Sequence, residues 1–375
     1  MKKLLIIILC LVGGFVVFKQ VNAPSSTDSG NDVIRIGGIT PLTGDTASIG
    51  IPIQNAANLR VEEINAAGGI NGRSLEIVWE DGKCSPADSS RAAQKLINID
   101  KVPVIMTMCS GETLSAAPIA EKNKVIILSP TSSSPEVTKA GDFVFRTAPS
   151  DSSQGKVLAE YANKHFKKVG LITEQTDYAM GIADTFEKNF TGTLFRENYL
   201  PTESDFKTRI AKLKNENVDA LFLNPQNPPK FEIIVKQLQE QNWATPILAN
   251  EVIGGDPEPS RKYKDFLVRN TLIAGNFIAP ENPRLVAFGE KYKARFGVEP
   301  PYLNYMATTN DALDILVSIW KDTDPYDTAA VKNKLYAIKD FNGMYEHFAF
   351  DENGDSNITH SLFQFDGENF VLMKE

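Results

Sequence analysis

The side chains of this chain best placed to do chemistry are hydroxyls and carboxylates, and they concentrate in two segments. Ser110-Gly111-Glu112-Thr113 reads as the opening turn of a helix, where a hydroxyl and free backbone N–H groups suit a carboxylate ligand. A simple helix cap is the alternative for Ser110. Ser129-Pro130-Thr131-Ser132-Ser133-Ser134-Pro135-Glu136 is dense in hydroxyls held between prolines, and fits either a ligand-binding loop or a solvated turn. The three histidines, His165, His347 and His360, are scattered and lack the spacing of a metal site. His165 falls at a helix end and the other two in C-terminal strands, all far from the hydroxyl loops, so no nucleophile has a base beside it. There is no G-x-S-x-G elbow, no G-x-x-x-x-G-K-[ST] loop and no G-x-G-x-x-G after the first strand. These absences point to a binding protein rather than an enzyme, with no catalytic residue, metal or cofactor expected.

Cys84 follows the second predicted strand and Cys109 ends the third. Neighbouring strands of one sheet can bring those ends together, and in an exported protein a disulfide is the natural reading. Two buried free thiols are the alternative. A disulfide here would contribute about 3 to 4 kcal/mol by chain entropy.

The elements that must position these loops alternate. Strands are predicted at Val33 to Thr40, Ser74 to Glu80, Val102 to Met108, Lys124 to Leu128, Lys168 to Thr173, Asp219 to Leu223 and Pro246 to Ala249. Helices are predicted between them, at Ile53 to Ala67, Asp88 to Ile99, about 112–122, 151–165, 179–190, 205–216 and 229–242. Repeated β-α-β of this kind builds parallel sheets covered by helices on both faces. Two such series, with a break near Arg146-Thr147-Ala148-Pro149, argue for two α/β lobes, each a doubly wound parallel sheet. Ligands of such sheets bind beyond the carboxyl ends of the strands, which is where both hydroxyl segments fall. Two further helices, about 304–322 and 327–339, precede turn-rich segments at Asp351 to Asp355 and Asp366-Gly367 that read as short antiparallel strands.

The bulk numbers agree. With 375 residues the chain suits two domains, and 42% hydrophobic with 23% charged residues is ordinary for a globular protein. A formal net charge of -8 excludes general affinity for nucleic acid or anionic membrane. At the N-terminus, Lys2 and Lys3 precede an apolar run from Leu4 to Phe18, so residues 1–23 form a signal peptide or an N-terminal membrane anchor. Val21-Asn22-Ala23 offers a cleavage site, but Pro24 follows it directly; uncut, residues 4–18 would tether the protein to the membrane. Cys10 lies in this segment, and residues 24–32 read as a polar linker. The bulk of the protein is therefore expected to be periplasmic or otherwise extracytoplasmic.

At these residues the chain resembles a known family. Ile36-Gly37 through Pro41-Leu42-Thr43-Gly44, the string Glu63-Ile64-Asn65-Ala66-Ala67-Gly68-Gly69-Ile70-Asn71-Gly72, the Cys84 and Cys109 pair, and Leu128-Ser129-Pro130 through Glu136 carry the resemblance. Phe145-Arg146-Thr147, Ser153-Gln154-Gly155 and Asp177-Tyr178-Ala179-Met180-Gly181 extend it. Residues 33 to 375 are similar to the extracellular ligand-binding receptors of branched-chain amino acid ABC transporters, the type 1 periplasmic binding proteins of the Leu/Ile/Val-binding kind. The resemblance implies three hinge crossings, near Thr147, Pro280 and Tyr345, giving one lobe of 33–147 plus 281–345 and a second of 148–280 plus 346–375. It implies a monomer that captures a small amino-acid-like ligand and docks on membrane permease subunits. A ligand-sensing receptor of the same fold is the alternative.

The resemblance also implies roles. Ser110 would bind the ligand carboxylate, Thr131 would offer its carbonyl to the ammonium, and Ser133 its hydroxyl and backbone. Glu251 would neutralise the ammonium from the second lobe, and Tyr178 would reach across the cleft. Ile49 and Gln226 stand where the family often has an aromatic residue over the ligand, and Tyr305 at another wall position. Asn310 stands where a tyrosine is common. The head-group site thus looks kept and the side-chain site altered.

Overall fold

The computed structural model describes residues 33–276 and 282–373. The N-terminal signal or anchor, the linker and the crossing near Pro280 lie outside the described residues. Among the described residues no helix is long and apolar enough to cross a membrane.

The alternating pattern folds into two sheets. The first lobe runs β1 (Val33–Thr40), α1 (Ala47–Ala66), β2 (Ser74–Asp81), α2 (Pro86–Asn98), β3 (Val104–Thr107), α3 (Ser110–Asn123), β4 (Ile126–Ser129) and β5 (Val144–Arg146). The chain then passes to the second lobe as α4 (Asp151–His165), β6 (Lys168–Glu174), α5 (Asp177–Asn189), β7 (Thr193–Tyr199), α6 (Lys207–Asn215), β8 (Ala220–Asn224), α7 (Pro228–Glu240) and β9 (Ile247–Ala249). Three short helices follow, α8 (Val252–Gly255), α9 (Glu258–Lys262) and α10 (Lys264–Leu267), before β10 (Thr271–Gly275). Then come α11 (Pro283–Phe296), α12 (Leu303–Trp320), α13 (Thr328–Tyr336), the two-residue strands β11 (Phe341–Asn342) and β12 (His347–Phe348), and finally β13 (Ser361–Phe365) and β14 (Phe370–Leu372).

The first sheet has the order β2-β1-β3-β4-β5 and is parallel throughout. The second has the order β14-β13-β10-β9-β8-β6-β7, parallel from β10 to β7 and closed by the antiparallel pair β13 and β14. In each sheet the winding reverses beside its first strand, β1 in one and β6 in the other. The connections leaving the strands on either side of that point run in opposite directions and open a crevice at the carboxyl ends.

Each sheet is covered on both faces. Ile34, Ile36, Val104, Met106 and Leu128 pack against α1, α12 and α13, while Ile39, Ile105 and Ile127 meet α2 and α3. In the second lobe Val169, Leu171 and Phe222 face α4 and α5, while Ile172, Leu221 and Leu223 face α6 and α7. Phe348, Phe350 and Ile358 belong to the first lobe's core.

Local chemistry explains the most distinctive sequence string. Asn65 takes the Leu75 N–H at 2.8 Å and gives its own amide to the Leu75 carbonyl at 2.9 Å, clamping the end of α1 to β2. At Gly69 φ is +70° and a Cβ would lie 2.2 Å from the Arg73 carbonyl, so only glycine permits the turn. Ser85 caps α2 by accepting from the Asp88 N–H, with Pro86 at the first helical position as expected. The first helix begins six residues earlier than its apolar pattern suggested, at Ala47 instead of Ile53, and carries Pro52 within it. Strands β5, β7 and β10 and helix α11 are elements that the apolar pattern did not reveal.

Candidate ligand-binding site

The structure places the expected residues where the crevice rule requires. Ile49 follows β1, Ser110 follows β3, and Thr131 and Ser133 follow β4; Tyr178 follows β6, Gln226 follows β8 and Glu251 follows β9. Tyr305 enters from the first turn of α12, which packs along α1. The lobes are closed on one another. A continuous apolar cluster joins Ile49, Ile53, Met108 and Cys109 of the first lobe to Ile172, Leu223, Val252 and Ile253 of the second, with Tyr302 within it and Tyr305 against it.

The hydroxyl-rich loop divides its labour. Ser129 donates to the Thr107 carbonyl at 2.7 Å, and Thr131 and Ser132 donate to the Met108 carbonyl at 2.7 and 3.0 Å. Those three hydroxyls lace the loop to the end of β3. The Thr131 hydroxyl proton is therefore spent on the loop. Ser134 presents its N–H to Ser110 Oγ at 3.1 Å, and the Ser133 carbonyl accepts from the Asp151 N–H of the other lobe at 2.8 Å.

Behind Ser110 the Cys84–Cys109 disulfide links residues whose Cα atoms are 5.4 Å apart. Glu112 completes this corner, accepting from the backbone N–H groups of Cys84 at 3.2 Å, Met108 at 3.1 Å and Cys109 at 2.9 Å. Burial pushes its carboxyl up to about 8, against the pull of those three donors. The first turn of α3 is thus held by a disulfide and a buried acid.

Across the cleft, Glu251 accepts from the Tyr305 hydroxyl through Oε1 at 3.1 Å and gives its N–H to Gln154 Oε1 at 3.2 Å. Asp151, the first residue of α4, accepts from the Gln154 amide through Oδ1 at 2.9 Å. Burial, reinforced by the neighbouring Glu251, raises the Asp151 carboxyl well above its ordinary range; Arg146 offsets this in part. Arg146 is itself committed, to Asp355 at 2.6 Å and to the Ser134 carbonyl at 2.8 Å. Burial likewise raises the Tyr178 and Tyr305 hydroxyls, with the charges of Asp151 and Glu251 adding to it.

Four buried polar atoms in this region lack a well-formed hydrogen bond: Ser133 Oγ and Asp151 Oδ2, whose side chains face each other, Tyr178 OH, which faces Gln154 and the Val252 backbone, and Glu251 Oε2. Buried polar groups are almost always paired, so four such atoms around one closed cleft describe the complement of a polar ligand head group. Two carboxylate oxygens ask for a cation. Ser110, at the start of α3, and the hydroxyls suit an anion. Ile49, Ile53, Met108 and Ile253 belong to the apolar cluster that spans the two lobes.

Gln226 is less engaged. It is half-buried, its N–H is held by Glu174 Oε2 at 2.8 Å, and the adjoining Asn227 caps α7. The Asn310 amide is spent on the Met306 carbonyl of its own helix at 2.8 Å.

Sequence reasoning missed three residues and misplaced one of them. Asp151 and Gln154 lie on a helix predicted correctly, but nothing in its pattern marks that face as a cleft wall. His360 was expected far from the cleft. Instead its Nε2 lies 3.4 Å from Glu251 Oε2, because β13 returns along the edge of β10 and the chain entering it runs past α4.

Two winding lobes closed on a polar crevice at their switch points define a non-covalent solute receptor. Residues 33–368 match the periplasmic binding protein family, and the chain belongs to it. A Leu/Ile/Val-binding protein homolog of Brucella abortus (strain 2308) is 30% identical over 336 residues, 85% of this chain and 86% of its own length. The Leu/Ile/Val-binding protein BraC3 of Rhizobium johnstonii is 30% identical over 231 residues, 60% of this chain and 61% of its own length. The solved LivJ substrate-binding protein of Streptococcus pneumoniae, in complex with isoleucine, superposes with a TM-score of 0.81 at 27% identity, covering 92% of this chain and 100% of that one. Members of the family are binding proteins, and membership locates this chain in the periplasm or otherwise outside the cytoplasm.

Proposed function

We propose that this protein captures an amino-acid zwitterion with a small apolar side chain and delivers it to the membrane permease of an ABC transporter, without catalysis. The observation that carries the reading is the convergence of Ser133 Oγ, Asp151 Oδ2, Tyr178 OH and Glu251 Oε2, all buried and none with a well-formed hydrogen bond. Asp151 and Glu251 would take the ammonium, with the Thr131 carbonyl. Ser110, Ser133 and the N–H groups opening α3 would take the carboxylate. Ile49, with Ile53, Met108 and Ile253 beside it, would face the side chain, Tyr305 would wall it, and Gln226 would stand at its margin. The relatives named above, whose names specify leucine, isoleucine and valine, support the same class.

The lobes of this reading are 33–147 with 281 to about 358, and 148–280 with about 359–375. The shift of the last boundary from Tyr345 is supported by the packing of Phe348, Phe350 and Ile358 in the first core.

The test is calorimetric titration of a ligand-stripped protein beginning at Asn31 with leucine, isoleucine, valine and a set of polar amino acids. Aliphatic amino acids should bind, and Glu251→Gln should weaken them by about 2 kcal/mol or more, roughly thirtyfold in Kd. Binding of none of them by a folded sample would overturn the proposal.

A further inference from the structure

His360 is the one histidine of the three buried in the cleft wall, and nothing in the proposed head-group chemistry uses it. Its side chain is fully buried beside Glu251, which is 2% exposed. Its proton positions follow from its partners. Ser153 Oγ donates to the Ser150 carbonyl at 2.9 Å, so its single proton is committed. With the hydroxyl so turned, Ser153 Oγ accepts from Nδ1–H of His360, 2.5 Å away. That leaves Nε2 as the variable nitrogen. It lies 3.3 Å from the Gln154 amide nitrogen and 3.4 Å from Glu251 Oε2.

The two protonation states of Nε2 differ in what they do to Glu251. Neutral, Nε2 accepts from the Gln154 amide, whose other N–H serves Asp151 Oδ1, and Glu251 Oε2 remains unfilled. Protonated, Nε2–H becomes a donor to Oε2 and places a positive charge where a ligand ammonium would act. One acceptor atom each from Asp151, Glu251 and His360 lies within 4.8 Å of the others. Nε2 and Oε2 lie too close together for one ammonium to donate to both with tetrahedral N–H bonds, so the imidazole proton and the ammonium are alternatives at Glu251. The other groups facing it are Tyr178 from α5, Tyr305 from α12, and Arg146, already paired with Asp355.

Resting on the amino-acid reading above, we propose that His360 stands beside the ammonium site and that its proton competes with the ligand ammonium for Glu251. Capture then releases a proton in acid conditions, and affinity falls as the solution is acidified.

Isoleucine, whose own two charges are constant over this interval, is titrated into the protein from pH 8 to pH 5, the range in which imidazoles generally change charge. Kd should rise towards the one-proton limit of about tenfold per pH unit. His360→Gln should bind isoleucine with a shallower profile than the wild type, the remainder belonging to Asp151, whose carboxyl burial holds well above its ordinary range. In the wild-type protein, selectively labelled with isotopic histidine, one of three imidazole signals should lose its proton when isoleucine is added in acid conditions. A Kd that is flat in the wild type overturns the proposal and leaves the amino-acid reading intact. A slope in H360Q as steep as in the wild type, with no imidazole responding, assigns the linkage to Asp151 and also overturns it. Absence of binding by any amino acid at any pH sinks the amino-acid reading, and this proposal with it.

Discussion

Glu112 is a carboxylate that shapes the site from behind. Both its oxygens are occupied by backbone N–H groups, so it holds the loop after β2 and the end of β3 in the arrangement that presents Ser110. Burial has a consequence for pH. With its folded value raised to about 8, Glu112 keeps its proton in the folded protein over an interval in which the unfolded chain has already lost it. Unfolding then releases a proton, so this contribution to stability is complete below the ordinary carboxyl range and is lost as pH rises towards 8. Asp311, raised by burial to about 6 against the Met344 and Tyr345 N–H groups, acts in the same direction over the lower part of that interval. The melting temperature of ligand-free protein should fall from pH 5 to pH 8, with a slope from Glu112 of up to about 1.4 kcal/mol per pH unit. Glu112→Gln should reduce that slope, and an unchanged profile in the variant would refute the assignment. The serine run was legible as a candidate at this scale, but which hydroxyls serve the loop and which face the ligand was not. That division depends on the carbonyls of Thr107 and Met108, which belong to a neighbouring strand.

At the scale of elements, closure depends on close backbone approaches between lobes. Gly255, ending α8 in the second lobe, accepts from the Tyr302 N–H at the start of α12 at 2.9 Å, and a Cβ there would lie 2.4 Å from the Tyr302 ring. Tyr302 is buried and held at φ +52°, with its ring stacked on Tyr305 at 6.0 Å between centroids. Tyr305 in turn donates to Glu251. Gly255→Ala should therefore hinder closure: the bound amino acid should dissociate faster, by roughly tenfold if the obstruction costs about 1.4 kcal/mol in the closed state. The melting temperature of the ligand-free protein should change little. An unaltered dissociation rate, measured by stopped flow, would show that the lobes close without this contact. The strands and helices of the βαβ series were legible in their apolar periodicity. The start of α1 was not, because Pro52 reads as a boundary where the fold tolerates it inside the helix.

The whole molecule is described here in its closed state, with the cleft walls sharing one apolar cluster. Closing on four poorly satisfied polar atoms, two of them carboxylate oxygens, is unfavourable unless a ligand supplies the missing partners. The free protein should therefore spend most of its time open, and a ligand that satisfies those atoms should shift the population to the form described. Small-angle scattering should show a larger radius of gyration for stripped protein than for protein saturated with isoleucine. Equal radii would mean that the closed form is stable without ligand.

The amino-acid sequence by itself determined the alternation of strands and helices, two lobes, the pairing of Cys84 with Cys109 and the position of the hydroxyl loops at strand ends. Each of these depends on residues near one another in the chain or on a periodicity that a short window contains. Tertiary structure alone placed Asp151, Gln154 and His360 around Glu251. Gln154 and Glu251 meet across 97 positions, and Ser153 and His360 across 207. Those contacts exist because the chain crosses between lobes and returns along the edge of the second sheet, and no local pattern of residue types encodes such a return.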